Sequence, residues 1–463
     1  MPEHLKNAWL WISASDLQVE LAQLTDEGRV LGALRAKFAR LIRKSEARLA
    51  APAGQVAAWD LLDEARKLPT REDYPFIEPS DLAAIRKLRP RGPRHLARPG
   101  RRRLSDKQIA DRILGGWQGR CAGCLLGKAA EGVRSDRFWP FLKATRQWPI
   151  RTYIRFGVRG RAAAAFPDMT ARGQLDKVRG MPVDDDTNYT VTGFLVVRTC
   201  GADFRPVDVA RFWLANLPIL STFTAERVAY RNFTHGLAPP ASASFRNPYR
   251  EWIGAQIRAD AFGYLNVGSP QRAAAFAWRD ACISHVKNGI YGEMLMAALI
   301  AAAPYCRDIA ELIRVGLSEI PKTSRLAADV NTTLAWHAEG ITYDQAVARI
   351  HERWDENWPH HWCHTIPNAV ICTVALLWGG DDFSRSICMA VQPGFDTDCN
   401  GATVGSIVGM RHGTSGIAAQ WTDRLDDTLH TSLAGTNEVS ISRIAAETFD
   451  LFKAIRRKRL TRR

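Results

Sequence analysis

Apolar residues recur every three or four positions along most of the chain. Near the beginning they include Val30, Leu34 and Phe38, and the same spacing continues in three later segments, residues 272–303, 365–378 and 384–391. This spacing places the apolar side chains on one face of a helix. Runs that alternate apolar and polar residues, which would indicate strands, are scarce. The pattern therefore predicts an all-α fold.

The helical pattern is interrupted by one stretch that is rich in proline and glycine. It contains Pro90, Gly92, Pro93, Pro99 and Gly100, residues that break helices and strands. We interpret this stretch as a linker. Four parts of the chain follow from it: an N-terminal helical extension (residues 1–85), the basic linker (86–103), a main domain (104–445) and a basic helical tail (446–463).

The net charge of +15 comes from two short regions. Residues 86–103 contain nine Lys or Arg and no acidic residue, and the seven basic residues after Asp450 are equally unopposed. Basic tracts of this kind can attract nucleic acid or another anionic surface. Neither tract interleaves aromatic residues, as a platform for single-stranded nucleic acid would. We therefore favour a solvated linker and tail, with nucleic-acid contact as the alternative.

Several features bear on the compartment. No stretch approaches the ~20 consecutive apolar residues of a membrane-spanning helix. The first residues lack the basic region, apolar run and cleavage site of a signal peptide. The nine cysteines, an odd number, are scattered through apolar surroundings, which fits reduced thiols better than a disulfide framework. We expect a cytoplasmic protein without a membrane partner.

Glycines recur every fourth residue in two predicted helices. They are Gly119, Gly123 and Gly127 in the first helix, and Gly401, Gly405, Gly409 and Gly413 in the second. Residues four apart share one face of a helix, and each glycine costs up to about 1 kcal/mol relative to alanine. Close packing of the two backbones would compensate that cost. We therefore predict that both helices lie deep in the domain, with their flanking residues near a shared centre.

Two acidic clusters carry the candidate chemistry. Asp184, Asp185 and Asp186 are consecutive, and Asp396 and Asp398 flank one residue just before the second glycine-rich helix. Adjacent carboxylates repel one another, and hard divalent cations such as Mg²⁺ and Mn²⁺ relieve that repulsion because they prefer oxygen ligands. A solvated turn is the alternative for the first cluster, and helix N-capping is the alternative for the second.

Together with the first glycine-rich helix, the two clusters resemble the motifs of the ADP-ribosylglycohydrolase family. The match covers roughly residues 104–445. Its motifs, in chain order, are Gly119–Glu131, Asp184–Thr187 and Asp396-Thr397-Asp398, with a looser likeness at His285–Gly289. The resemblance implies a compact, multi-helix, all-α domain that holds two Mg²⁺ or Mn²⁺ ions.

The resemblance also implies roles for individual residues. Asp185 and Asp186 would bind one ion and Asp396 the other, with Asp398 bridging the two. Two residues depart from the family pattern. Asp184 replaces the usual Ser/Thr but can still coordinate through oxygen. Cys399 replaces the usual Thr with a soft sulfur that suits Mg²⁺ poorly, so the second ion could bind more weakly, or could take Asn400 or water instead.

The family's mobile acidic residue beside the substrate corresponds to Glu131. Our mechanistic hypothesis is that Glu131 or Asp398 acts on the attacking water. The expected substrate-binding residues are His285, Asn288, Gly394, Phe395 and Asn400. A satisfied core histidine is the alternative for His285. The cluster of His360, His361 and His364 could suggest zinc, but we favour a place at a pocket or on the surface.

The resulting interpretation is metal-dependent hydrolysis of an ADP-ribosyl glycosidic linkage. The substrate would be an ADP-ribosylated protein side chain, such as arginine, or a small ADP-ribosyl compound. One alternative is a catalytically silent protein of the same fold that binds ADP-ribose or a related nucleotide; the four aspartates disfavour it, and Cys399 favours it modestly. The other is an ADP-ribosylhydrolase acting on nucleic acid, guided by the basic linker and tail.

Overall fold

A computed structural model describes residues 11–97 and 103–461, and side chains as far as residue 457. Arg98, Arg101 and Arg102 of the linker and the final basic residues of the tail lie outside the described set. The all-α prediction is confirmed. In the described part of the chain the only strands are β1 (Thr428–His430) and β2 (Glu438–Ser440), which pair antiparallel with Leu429 opposite Val439.

The N-terminal helices have an apolar core of their own. Ser13 caps the first of them, its hydroxyl accepting from the amide N–H of Asp16 while the Asp16 carboxylate accepts from the amide of Ser13. Leu17, Phe38 and Leu62 are among the residues of this core. The helices are α1 (Ala14–Asp26), α2 (Leu34–Ile42), α3 (Glu46–Ala50), α4 (Pro52–Ala65) and α5 (Leu82–Leu88).

The first half of the main domain begins with one long glycine-rich helix. Its helices are α6 (Asp106–Lys128), α7 (Ser135–Ala144), α8 (Arg161–Ala165), α9 (Pro167–Thr170), α10 (Asp185–Cys200), α11 (Pro206–Asn216), α12 (Thr224–Thr234), α13 (Ala241–Ser244), α14 (Asp260–Tyr264) and α15 (Pro270–Ala281). Short 3₁₀ helices cover Ala171–Lys177, Ile219–Ser221 and Gln256–Arg258. Ser105 and Gln108 form a reciprocal capping box that begins α6.

The second half begins with a helix that is buried on all sides. This helix is α16 (Lys287–Ala302), in which every residue after Lys287 is buried. It is followed by α17 (Ile309–Leu317), α18 (Arg325–Ala338), α19 (Tyr343–Arg353), α20 (Pro359–Cys363), α21 (Thr365–Trp378), α22 (Phe383–Val391), α23 (Thr397–His412), the 3₁₀ helix Thr414–Gly416, α24 (Ala419–Thr422) and α25 (Ile441–Thr461). No described helix has the length and hydropathy needed to cross a membrane.

Helices α6 and α23 pack backbone against backbone, as the glycine pattern predicted. A Cβ atom on Gly123 would lie 1.9 Å from the carbonyl oxygen of Gly401, and one on Gly405 would lie 2.1 Å from that of Gly119. At the end nearest the acidic clusters, a Cβ on Gly127 would lie 2.1 Å from the carbonyl oxygen of Thr397. Only glycine permits this approach, so the stripes fix the position of the second cluster against the first helix.

Charged pairs attach the N-terminal helices to the main domain. Arg250 lies 2.6 Å from the carboxylate of Glu20 and 2.7 Å from that of Glu27, and Lys287 lies 3.0 Å from the other oxygen of Glu27. Both glutamates are almost fully buried. Removing one partner from such a buried pair leaves an uncompensated charge. The extension is therefore a tightly attached wall of the main domain.

Two arginines of the linker differ from the solvated segment that the charge pattern favoured, whereas Arg86, Lys87 and Arg91 are exposed. Arg89 and Arg94 both pair with Glu319, whose side chain is completely buried. Leu96 is also fully buried in the main core. A buried carboxylate must be compensated by a positive partner, and the two arginines supply it. The interpretation of these two residues as solvated was wrong.

Candidate active site

The two acidic clusters meet, although more than two hundred positions separate them in the sequence. Carboxylate oxygens of Asp186 and Asp398 and the sulfur of Cys399 lie within 4.8 Å of one another. All three residues are buried, with exposed fractions of 0%, 3% and 5%. Asp186 lies in the first turn of α10 and Asp398 in the first turn of α23. The site thus forms where two helix N-termini converge.

Each helix begins in a way that directs its aspartates to the shared centre. Asp184 caps α10, and its Oδ1 accepts from the amide of Asp186 at 2.9 Å. Before α23, Gly394 and Phe395 have φ angles of +87° and +58° and form a tight turn. The N-terminus of a helix carries a partial positive charge that stabilises nearby carboxylates. Two such ends offset part of the repulsion within the cluster.

Arg120 fixes one of the aspartates. Its guanidinium is fully buried and lies 2.8 Å from Asp186 Oδ1 and 2.9 Å from Asp260 Oδ2. It also donates to the backbone carbonyls of Asp186 and Ile257 at 2.9 Å and 2.6 Å. These contacts bind one oxygen of Asp186, while Oδ2 has no hydrogen-bond partner among the described residues. Arg120 therefore presents the second oxygen to the centre of the site.

Lys128, in the last turn of α6, forms an ion pair with Asp184. Its ammonium lies 2.7 Å from Asp184 Oδ2 and 3.7 Å from a carboxylate oxygen of Glu131. Because the amide of Asp186 already occupies Asp184 Oδ1, both oxygens of Asp184 have partners. Glu131 is the most exposed acid of the group, with 43% of its side chain accessible. It lies at the rim, where it can reach a bound substrate.

The carboxylates show the electrostatic strain of an acidic cluster. Burial first, and then the neighbouring carboxylates, raise the pKa of Asp185 and of Asp398 well above the usual range. Burial likewise raises the pKa of Asp186, which Arg120 opposes, and that of Glu131 at the rim, which Lys128 opposes. A divalent cation among these groups would restore their charged form, because it supplies the missing compensation.

The donor set fits a hard divalent ion at one place. Asp186 Oδ2 and Asp398 Oδ1 are buried and have no hydrogen-bond partner in the described part of the chain. Asp260 and Glu293 also have unpartnered oxygens, but of these four residues only Asp186 and Asp398 form a group of candidate ligands in the described chain. A divalent ion would satisfy both of their free oxygens at once. Cys399 adds a thiol whose pKa burial raises well above its ordinary value. A protonated thiol can donate to a carboxylate but is a poor ligand for Mg²⁺.

Side chains that the sequence did not indicate hold the second cluster in place. Asn368 Oδ1 accepts from the amide of Asp396 at 3.2 Å and from the side-chain amide of Asn400 at 2.8 Å. The thiol of Cys363 donates to Asp396 Oδ2 at 3.5 Å. Asn400, expected to contact substrate, thus supports the loop from behind. No motif marks Asn368, which lies in the first turn of α21.

Gly394 and Phe395 also make supporting contacts. Glu356 accepts from the amide of Phe395 at 3.2 Å and from the amide of Ser135 at 2.6 Å. The indole of Trp362 donates to the carbonyl oxygen of Phe395 at 2.6 Å. A Cβ on Gly394 would lie 2.4 Å from Glu356 Oε2. The turn is therefore shaped by Glu356, which the sequence pattern did not single out.

His285 and Asn288 belong to a different part of the domain. His285 is fully buried, and its Nδ1 lies 2.8 Å from the hydroxyl of Ser284. Asn288 donates to Glu78 at 2.8 Å and to Glu251 at 3.0 Å. Within the described chain, the hydrogen bonds of His285 and Asn288 go to residues of this buried region. None of them goes to an aspartate of the two acidic clusters. Their expected role in substrate binding stays a prediction.

His360 and His364, which could suggest a zinc site in the sequence, do not have the hydrogen bonding that a metal site needs. Nitrogens of His360 and His364 come close to a carboxylate oxygen of Asp26 from the N-terminal extension. However, His360 Nδ1 accepts from the indole N–H of Trp252, and His364 Nδ1 accepts from a backbone amide. In a neutral imidazole the other nitrogen, Nε2, then carries the hydrogen. Neither histidine offers a lone pair at Nε2, and His360 instead donates to Asp26 at 2.9 Å.

A cavity of about 810 Å³ lies between the N-terminal helices and α12. Its walls include Trp11, Phe223, Arg227 and Tyr249. Tyr249 packs in the same apolar cluster as Cys363, whose thiol contacts Asp396. The N-terminal extension therefore provides one wall of this cavity, and none of the aspartates of the acidic clusters lines it.

Comparison with known proteins identifies the family. A family model described as ADP-ribosylglycohydrolase matches residues 105–458, about three quarters of the chain. The chain belongs to this family. Membership supports glycohydrolase activity on an ADP-ribosyl linkage. Among solved structures, the chain is similar to an "ADP-ribosylglycohydrolase-related protein complex", with 18% identity, a TM-score of 0.43 and coverage of 75% of this chain and 99% of that one. No curated protein matches its sequence significantly.

Proposed function

We propose that the protein hydrolyses an ADP-ribosyl glycosidic bond with the help of a divalent cation, and that it releases ADP-ribose from a modified protein side chain such as arginine. One observation carries the proposal. Asp186 and Asp398 come from segments far apart in the chain, are buried, and bring carboxylate oxygens within 4.8 Å of one another, each with one oxygen that has no hydrogen-bond partner among the described residues. Two converging buried carboxylates repel each other, and a divalent cation between them would relieve that repulsion.

Asp186, Asp396 and Asp398 would hold Mg²⁺ or Mn²⁺, with Asp185 beside them. Such an ion lowers the pKa of bound water and positions the hydroxyls of a ribose. Breaking the bond at the anomeric carbon of the ribose develops oxocarbenium character, and nearby carboxylates stabilise that positive charge. The chain's own contribution is to keep these carboxylates fixed, through Arg120 on one side and Asn368 on the other.

Glu131 and Asp398 are the candidates for proton transfer. Asp398 lies at the centre of the cluster, where it can orient or deprotonate the attacking water. Glu131 lies at the partly exposed rim, where it can reach either the water or the leaving group.

The direct test is incubation with ADP-ribosylated arginine, ADP-ribosylated serine and ADP-ribosylated nucleic acid, each with and without Mg²⁺ or Mn²⁺. We expect free ADP-ribose from the arginine substrate only when the metal is present. Asp398→Ala should abolish release and weaken metal binding, whereas Asp450→Asn, on an exposed part of α25, should behave like the wild type. Binding of ADP-ribose without any release, or full activity of Asp398→Ala, would refute the proposal.

A further inference from the structure

We propose that the ammonium of Lys128 takes the place of one cation in the acidic site, so that the site binds a single divalent ion instead of two. This inference rests on the proposed metal-dependent function, since it concerns how many ions that site holds. It departs from the two ions that the family resemblance implies.

The first step concerns Asp184. Lys128 Nζ lies 2.7 Å from Asp184 Oδ2, and the amide of Asp186 lies 2.9 Å from Asp184 Oδ1. The Asp184 carboxylate is fully buried and Lys128 is only 27% exposed, so water screens this ion pair weakly. An ion bound by Asp184 would have to displace either the ammonium or the helix cap. Asp184 is thus already compensated.

The acidic site has two places where an ion could lie. One is formed by Asp186, Asp398 and Cys399, and the other by Cys124, Asp184 and Asp186. The first place has two orphaned carboxylate oxygens, Asp186 Oδ2 and Asp398 Oδ1. The second place shares Asp186 with the first, but both oxygens of Asp184 there already have partners. Each place has a cysteine sulfur as its third donor, so the difference lies in the carboxylates. The donors therefore favour the first place alone.

The third step is electrostatic. The second place is flanked by Lys128 on Asp184 and by Arg120 on Asp186 Oδ1. A divalent ion there would lie within a few ångströms of both fixed positive charges, and repulsion at such distances is strong in a buried site. Lys128 also approaches Glu131, at 3.7 Å, and so compensates a second carboxylate of the cluster. One ammonium and one divalent ion then share the acidic cluster.

The test is a count of bound Mn²⁺ in the full chain. Metal-free protein is dialysed against rising Mn²⁺, and bound metal is measured by elemental analysis and by electron paramagnetic resonance. We expect one Mn²⁺ per chain with the spectrum of an isolated ion. Binding of two ions with similar affinities, or the spectrum of an exchange-coupled pair, would overturn the inference even if the protein proves to be an active hydrolase.

Variants separate the role of Lys128 from general effects of charge. Lys128→Met should admit a second Mn²⁺ at least about tenfold more tightly than the wild type does, because the opposing charge is gone. Lys143→Met removes an exposed lysine of α7 and should leave the count at one. A Lys128→Met protein that still binds only one ion contradicts the assignment. If Lys128→Met does not fold, the wild-type count decides the question alone.

The outcomes also distinguish this inference from the proposed function. If the wild type binds no Mn²⁺ and releases no ADP-ribose, the proposed metal-dependent function fails, and the inference fails with it. If it binds two ions and is active, only the inference fails. Asp398→Asn should lose the single ion, since it removes one of the two orphaned oxygens. Retention of that ion by Asp398→Asn would also contradict its placement.

Discussion

Adding one methyl group between α6 and α23 should loosen the scaffold of the site. In Gly123→Ala the new Cβ would lie 1.9 Å from the carbonyl oxygen of Gly401, whereas real Cβ atoms essentially never approach closer than 3.0 Å. The obstacle is backbone on both sides, so no flexible side chain can move away. The two helices must therefore separate by about 1 Å, a shift at which overpacking costs about 1–3 kcal/mol or more.

Helix propensity acts in the opposite direction and makes the test decisive. Alanine is favoured over glycine by up to about 1 kcal/mol in a helix interior, so propensity alone predicts that Gly123→Ala is more stable than the wild type. Close packing predicts that the free energy of unfolding falls by about 1–2 kcal/mol, after the gain from helix propensity has been subtracted. The measurement is the urea midpoint followed by circular dichroism. Gln118→Ala, on a half-buried position of the same helix, is the control and should change stability by less than about 0.5 kcal/mol.

The same substitution one turn later should affect the chemistry. In Gly127→Ala the new Cβ would lie 2.1 Å from the carbonyl oxygen of Thr397 and 2.5 Å from the amide nitrogen of Asp398. A shift of about 1 Å in a catalytic group can cost roughly a hundredfold in rate. We expect Gly127→Ala to lose Mn²⁺ affinity and turnover more than Gly123→Ala does. Wild-type stability for Gly123→Ala and wild-type turnover for Gly127→Ala would together refute the packing argument.

Three further predictions follow from the buried charges. Arg120→Met should lower the free energy of unfolding by about 3–5 kcal/mol, because it leaves Asp260 buried without its counter-charge; urea titration measures this. Although burial opposes it, Arg250 holds the pKa of Glu27 well below its usual value of 4.5, so Glu27→Gln should be less stable than the wild type at neutral pH, with a difference that vanishes as pH falls through the lowered pKa. Deleting residues 1–85 should give insoluble protein, because it exposes apolar surface such as Trp252 and Cys363, which pack with Val19 of the extension; a soluble, active truncation would contradict this.

The sequence was sufficient to predict the helical fold and the meeting of the acidic clusters. Both predictions depend on residue patterns that repeat every three or four positions. A spacing of three to four residues reports a helix face, and two glycine stripes of the same period report two helices that approach closely, as Gly123 and Gly401 do. Once these helices are paired, the aspartates at the beginning of α23 lie beside the end of α6 and close to the start of α10.

The partners of the aspartates could not be predicted in the same way. Arg120 and Lys128 lie on the predicted helix, but which carboxylate each one meets depends on how α6 crosses α10, and no sequence period records that crossing. Arg89 is another residue whose partner could not be predicted from the sequence. The basic residues around Arg89 in the sequence suggested solvent exposure. In the structure Arg89 instead forms an ion pair with Glu319, a buried acid of the main domain.

The central claim is that Asp186 and Asp398 bind one and the same divalent ion. A double-mutant cycle in Mn²⁺ affinity tests it most directly, with Asp186→Asn, Asp398→Asn and the double variant measured by the same dialysis. If both carboxylates bind one ion, the second substitution should cost much less than the first, with a coupling of about 1–3 kcal/mol. Strictly additive losses, or no loss from either substitution, would contradict the account.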